Sequence, residues 1–336
     1  MKILQPQWGG KLGLDKTGMA AVGAPVSFSA GATAIAAGQT VPLNLVNLQS
    51  GYRTPYWVDE IRMQVYSGSS VDAGTFGVQA GGYMMQFQFR TGNYAFSKTP
   101  IPMALYAPQY GASALIGQET GSLDIVGHSV RWVLPKPLFM APGDQIQCNV
   151  TRLSGVGAYG GAGFNADVAY VGRALPPGTT GPNARCVPWV ANYIHDFANA
   201  YSETQAEFRN PFMVPLYVHR FVGRPGSKSS TGAPDLSNGI AGGDFATQFN
   251  MLPTSTGIKY ASVYIEDSLG YKIVAGPSNA YSPVGCVFDT ERCAWTFGRP
   301  LGPREQFNMK FATNGSASGT NSVFGVGMVG YREEAV

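Results

Sequence analysis

The sequence predicts an all-β chain built from two tandem antiparallel sandwiches of about eight strands each. Three observations carry that expectation. Glycine supplies 44 and proline 23 of the 336 residues, and only 13% are charged. Turn formers in that excess suit many short strands, and an ordinary globular chain is about 25% charged. Apolar and polar residues then alternate at period two in segment after segment, which is how a strand with one buried face reads. Finally, four short segments recur in the same order at offsets between 156 and 163 residues, as a duplicated unit would.

Composition also excludes classes. A hydrophobic fraction of 44% with a net charge of +3 does not fit a disordered chain, which lacks apolar mass and carries more charge. The glycines follow no three-residue period, so a collagen helix is out. The charge offers no basic footprint, and no sequence-specific nucleic-acid contact is expected. A surface with so few charges is poorly defended against association, since soluble monomers carry about 25–35% charged residues outside. An oligomer that hides much of its surface is expected.

Taken in order, residues 1–40 read as an N-terminal arm with Lys2, Trp8, Lys11 and Lys16. Residues 17–52 contain no Asp, Glu, Lys or Arg, but Pro25, Ser27, Ser29, Thr33 and Pro42 interrupt them. A membrane helix needs about 20 consecutive predominantly apolar residues, and a secretory signal needs an unbroken apolar run behind its basic start. Neither is expected. A first strand is expected over residues 41–48. Alternation then marks Ile61, Met63 and Val65 against Arg62, Gln64 and Tyr66, and Met85, Phe87 and Phe89 against Gln86, Gln88 and Arg90. It marks Ile146, Cys148 and Val150 against Gln147, Asn149 and Thr151, and Phe307, Met309 and Phe311 against Asn308, Lys310 and Ala312. Helical patterns are few, the best being residues 112–119 and 190–206.

The repeat organises the chain. Tyr52-Arg53-Thr54-Pro55-Tyr56-Trp57-Val58 pairs with Phe208-Arg209-Asn210-Pro211-Phe212-Met213-Val214 at an offset of 156. Trp132-Val133-Leu134-Pro135-Lys136-Pro137-Leu138 pairs with Trp295-Thr296-Phe297-Gly298-Arg299-Pro300-Leu301 at 163. Pro142-Gly143-Asp144-Gln145-Ile146 pairs with Pro303-Arg304-Glu305-Gln306-Phe307 at 161, and Val168-Ala169-Tyr170-Val171-Gly172 with Val326-Gly327-Met328-Val329-Gly330 at 158. The acid after each turn proline suits a side chain that bonds nearby backbone donors. The expected division is an arm over 1–40, one sandwich over 41–175, a Pro/Gly linker over 176–200, and a second sandwich over 201–336.

Chemical motifs are weak. Gly155-Val156-Gly157-Ala158-Tyr159-Gly160 has the letters of a dinucleotide loop but joins two strands rather than a strand and a helix. Gly223-Arg224-Pro225-Gly226-Ser227-Lys228-Ser229 lacks phosphate-loop spacing and reads as an exposed loop. His128, His195 and His219 are far apart, and no metal-binding or nucleophile motif occurs. Asp196, Glu203 and Glu207 read as a solvated helix face. Asn149 and Asn314 begin glycosylation sequons, the first inside an expected strand. Cys148, Cys186, Cys286 and Cys293 form no CxxC pair; Cys286 and Cys293 could meet across a hairpin, and buried free thiols are the expected state. No catalytic, cofactor or metal residue is assigned, and no enzyme activity or cofactor is expected.

Two duplicated sandwiches with quiet surfaces and no reactive constellation resemble the double jelly-roll major capsid proteins. These build tailless icosahedral viruses with an internal membrane and include the adenovirus hexon. The resemblance covers residues 40–334 and rests on residues 52–58 and 208–214, and on 132–146 and 295–307. The compact chain is similar to those of small lipid-containing phages of aquatic bacteria (finnlakevirus-like). The resemblance implies two tandem eight-stranded jelly rolls with few short helices, and a homotrimer whose six rolls fill a sixfold lattice site. It further implies a virion location after synthesis in the host cytoplasm, neighbouring capsomers, vertex and minor capsid proteins as partners, and an arm able to touch an internal lipid membrane. A receptor-binding spike or lectin-like module is the alternative. A carbohydrate-active enzyme would need paired acids about 5–10 Å apart, and no strand here carries acids at alternating spacing.

Overall fold

A computed structural model describes residues 25–45, 55–67, 85–102, 129–152, 164–197, 203–228, 234–235, 261–274, 282–283, 294–313 and 322–335. Among them there are strands and turns but no helix. The first half holds β1 (Pro25–Ile35), β2 (Thr40–Leu45), β3 (Tyr56–Ser67), β4 (Met85–Thr91), β5 (Tyr94–Ala95), β6 (Ile101–Pro102), β7 (Ser129–Met140), β8 (Ile146–Arg152) and β9 (Phe164–Ala174). One antiparallel sheet has the order β1-β9-β3-β7 and the other β2-β8-β4-β5, with β6 also on β4. Successive long strands therefore change sheets, and the last strand lies beside the first. That is jelly-roll wiring.

The second half repeats it. Its strands are β10 (Ala184–Phe197), β11 (Glu203–Arg209), β12 (Leu216–Lys228), β13 (Pro234–Asp235), β14 (Ala261–Asp267), β15 (Lys272–Val274), β16 (Ser282–Pro283), β17 (Ala294–Leu301), β18 (Gln306–Thr313) and β19 (Ser322–Ala335). One sheet runs β10-β19-β12, with β13 and β17 both on β12. The other runs β11-β18-β14-β15, with β16 on β14. The chain is a double jelly roll.

The period-two segments sit where they were expected, in β3, β4, β8 and β18. Ile146, Cys148 and Val150 of β8 point inward with Phe87 and Phe89 of β4 and Ile61 and Met63 of β3. Phe89 also meets Trp132 of β7 with centroids 6.0 Å apart. In the second roll Phe208, Phe221 and Phe307 join Met309, Val326 and Met328. Each such side chain, fully buried, contributes about 1.5–3 kcal/mol.

Several expectations need correction. β1 lies inside the stretch read as an arm, and the strand expected over 41–48 is β2, the second of the roll. β10 lies inside the stretch read as a linker. The helix expected over 190–206 is instead β10 and the start of β11, so Asp196, Glu203 and Glu207 sit on strands. The second expected helix, 112–119, lies outside the described residues, as does most of the arm. Gly223 to Lys228, expected as a loop, continues β12.

The repeat is real in three of its four segments. Trp132 faces Ile61 across the sheet as Trp295 faces Phe221. The offset falls from 163 to 161 inside this strand because β7 carries two more residues than β17 opposite the bulge in its partner. The following turns make the same bonds, each acid's N–H donating back to the carbonyl three residues earlier. Ala141 N donates to Asp144 Oδ2 at 3.0 Å, and Gly302 N donates to Glu305 Oε2 at 2.5 Å. The segment at offset 156 does not superpose. Tyr56 pairs with Met140 and Ala174, and its counterpart by pairing is Leu216, opposite Leu301 and Arg332. Phe208 instead closes β11, whose counterpart is β2.

Candidate assembly interface

The second roll turns the outer face of its first sheet onto the first roll. Val187 and Val190 of β10 and Val329 of β19 are at most 1% exposed and belong to the same apolar cluster as Phe96, Leu134 and Leu138. Val190 N donates to Phe96 O at 2.7 Å, and Ser97 and Val190 form a parallel bridge. Residues 325–330 of β19 are all buried. Val326 and Met328 join the second roll's core and Val329 that of the first. The first roll's core is thus completed by three valines of the second.

Polar groups ring this seam. Arg185 Nη2 lies 2.9 Å from Asp144 Oδ2, so the acid that organises its own turn also ties the rolls together. Lys136 Nζ lies 3.8 Å from Glu333 Oε1 and 5.3 Å above the Tyr331 ring. Asn192 Nδ2 donates to Thr99 Oγ1 at 3.3 Å and to Pro100 O at 3.4 Å. The Tyr94 hydroxyl donates to Ala335 O at 3.4 Å. Exposed ion pairs contribute at most about 1 kcal/mol, so the valine seam and one buried cation dominate.

That cation is Arg332, 2% exposed. Its guanidinium lies 3.9 Å from the Phe212 ring centroid and 5.5 Å from that of Trp189. Nη1 donates to Ala95 O of the first roll at 3.3 Å, and Nε pairs with Glu334. Burial pulls its pKa below the ordinary arginine value, while Glu334 opposes that shift. Arg332→Ala is expected to lower stability by about 3 kcal/mol, combining a charged hydrogen bond with a desolvated cation–π contact. Urea unfolding of wild type and variant measures this; a loss below about 1 kcal/mol would remove Arg332 from the joint.

The other residues singled out by sequence do not converge. His195 lies on β10 and His219, exposed, on β12. His128, the glycines at 155–160, Asn314, Cys286 and Cys293 lie outside the described residues. Among the described residues no three His, Cys, Asp or Glu could hold a metal ion, and no helix is long and apolar enough to cross a membrane. Asn149 lies within β8. Cys148 is a buried free thiol, and burial pushes its pKa well up. Cys186 is half-buried and free, and burial raises its pKa as well.

A cleft of about 430 Å³ lies on the outer face of the β2-β8-β4 sheet, lined by Pro42, Gln88, Arg90, Gln147 and Asn149 with Phe89 and Ala95. Its lining has no carboxylate, histidine, serine or cysteine. It offers amides and one guanidinium, which can hold a polar surface but supply no nucleophile and no acid–base pair.

No family model and no curated protein matches the sequence. Solved structures do. The crystal structure of PBCV-1 VP54, fitted into a cryo-EM reconstruction of the virophage Sputnik, is similar over 92% of this chain and 94% of that one, with 11% identity and a TM-score of 0.50. The major capsid protein P2 of bacteriophage PM2 is similar over 92% and 98%, with 7% identity and a TM-score of 0.46. A structure of Sulfolobus Turreted Icosahedral Virus is similar over 92% and 91%, with 12% identity and a TM-score of 0.48. Identity this low speaks to the fold, and the first of these shares both rolls with this chain.

Proposed function

We propose that this chain is a major capsid protein, the repeating subunit of an icosahedral viral shell. One observation carries the reading: a whole-chain likeness, at a TM-score of 0.50, to VP54, a chain fitted into a viral particle. The rest of the molecule agrees with it. The two rolls, one over residues 25–174 and the other over 184–335, share an apolar seam ringed by polar contacts. Three such chains placed around an axis present six rolls, so a threefold object fits a sixfold lattice site. A low surface charge suits a subunit that contacts copies of itself, since obligate interfaces bury upward of about 2,000 Å². The proposed partners are two further copies in a homotrimer, neighbouring capsomers, and vertex and minor capsid proteins. The proposed location is the virion, after synthesis in the host cytoplasm. The arm read as residues 1–40, whose later part holds β1, is the segment proposed to reach an internal membrane.

The test is the mass of the purified protein by light scattering at micromolar concentration. The expected value is three times the 35.6 kDa of one chain. A stable species of single-chain mass would contradict the trimer.

A further inference from the structure

One end of the second roll carries a surface that neither its core nor the joint explains. β11 and β14 flank β18 and both end against its start: Arg209 pairs with Gln306, and Asp267 with Phe307. The loops that leave them, 210–215 and 268–271, therefore emerge side by side, about 10 Å apart across one intervening strand. The turn at 302–305 joins them there, since Asn210 Nδ2 donates to Leu301 O and Gly302 O at 3.0 Å.

These loops expose what soluble loops usually hide. Met213 is 72%, Leu269 74% and Tyr271 69% exposed. Three of the four exposed large apolar side chains found among the described residues sit at this one end. Their loops are held rigid from within. Asp267, buried, accepts from Leu269 N and Tyr271 N at 2.9 Å each through Oδ1, and Gly270 takes φ +81°. Asn210 Oδ1 accepts from Phe212 N at 2.9 Å. The apolar tips are thus presented rather than frayed.

Charge at this end is sorted by sign. Arg209, Lys272 and Arg304 are exposed. At the tips the acids face inward onto backbone, Asp267 onto its own loop and Glu305 onto Gly302 N; one residue pair further from the end Glu207 is exposed, and Glu266, opposite Lys272, pairs with Lys310. Arg304 is the sharpest sign. It holds φ +62°, where the matching position of the first roll is Gly143 at φ +97°. A side chain in the left-handed region is strained, and such strain persists where function holds it. Here it places a guanidinium at the tip of a turn.

We propose that this end of the second roll docks on an anionic lipid surface. Leu269, Tyr271 and Met213 would enter the headgroup boundary, and Arg209, Lys272 and Arg304 would meet the phosphates. Apolar and aromatic tips within a cationic rim match how interfacial proteins bind anionic lipid. Separate projecting tips offer no groove for a peptide and no continuous face for a second copy. At the two matching turns among the described residues the first roll exposes Gly92, Asn93, Pro142 and Gly143 instead. The proposal concerns the single subunit and stands or falls separately from the shell reading.

The test is co-flotation of the full-length protein with vesicles of phosphatidylcholine alone or mixed with phosphatidylglycerol. Binding is expected only to the mixed vesicles, and it should weaken as salt rises. Leu269→Ser with Tyr271→Ser should reduce the bound fraction about tenfold. Arg304→Gly should weaken binding several-fold while leaving the thermal midpoint unchanged or higher, because glycine accepts that φ. A merely structural arginine would not separate those two readouts. Wild-type protein that fails to bind mixed vesicles, or binds both kinds equally, overturns the proposal. So does a double-serine variant that stays folded and binds as wild type. Loss of self-association in that variant with vesicle binding unchanged would assign the surface to a second copy instead.

Discussion

Asn210→Asp lowers the unfolding free energy by about 3–5 kcal/mol at pH 7. The side chain is fully buried and pins the loop after β11 to the turn after β17. Its Nδ2 donates to Val214 O at 2.8 Å, and to Leu301 O and Gly302 O at 3.0 Å. An aspartate would turn a carboxylate oxygen toward three carbonyl oxygens. Its pKa in the folded protein must then lie above the unfolded value of about 3.9. The charge's share of the penalty is therefore absent well below the unfolded pKa, where both states are protonated, and grows as the pH rises toward the folded pKa; the loss of one amide donor remains at every pH. Urea titrations of wild type and variant at pH 4 and pH 7 measure it. Equal differences at the two pH values would show that a buried charge is not what destabilises the variant.

Gly172→Ala is the second large effect, and its twin is Gly330→Ala. Each glycine lies opposite the bulge of its neighbouring strand, after Val58 in β3 and after Val218 in β12. A Cβ at residue 172 would sit 1.8 Å from Trp57 O, and one at residue 330 would sit 2.4 Å from Tyr217 O. Both obstacles are backbone, so no side chain can rotate away. Overpacking normally costs about 1–3 kcal/mol; displacing a sheet backbone exceeds that at residue 172 and reaches its upper end at residue 330. Thermal midpoints of the two variants should both fall, that of Gly172→Ala further. Two midpoints within a degree or so of wild type would mean that the bulges yield easily.

These two sites show what a sequence of this kind displays and what it hides. Strands with one wet face alternate plainly, so β3, β4, β8 and β18 were legible. β10 was not, because Val187, Pro188, Trp189 and Val190 are all buried. One of its faces packs into its own roll and the other against the first roll, and a strand covered on both sides loses its period. β1 is rich in Gly, Ala and Ser and carries no strong strand former in its middle, so it read as arm. The match between residues 52–58 and 208–214 reflected shared turn chemistry rather than equivalent places. Gly172 and Gly330 were visible as a repeat, but their reason, a carbonyl at close range, exists only once strands pair. Asn210 stood in a repeated segment that proved misaligned, and no neighbour in sequence foretells its carbonyl partners. Arg332 and Asp144 had the same difficulty, since each binds groups brought to it by the other roll. The tips at Met213, Leu269 and Tyr271 left no trace at all, because exposure is set by the loop and not by the residue.

The central claim is that this double jelly roll builds a closed shell. Electron cryo-microscopy of particles from the native source, with their protein composition resolved in parallel, tests it most directly. The account predicts icosahedral particles in which this chain is the most abundant protein, its density showing threefold capsomers of six rolls. Particles that lack the chain, or that carry it only at a few spike positions, would contradict the account and restore the receptor-binding alternative.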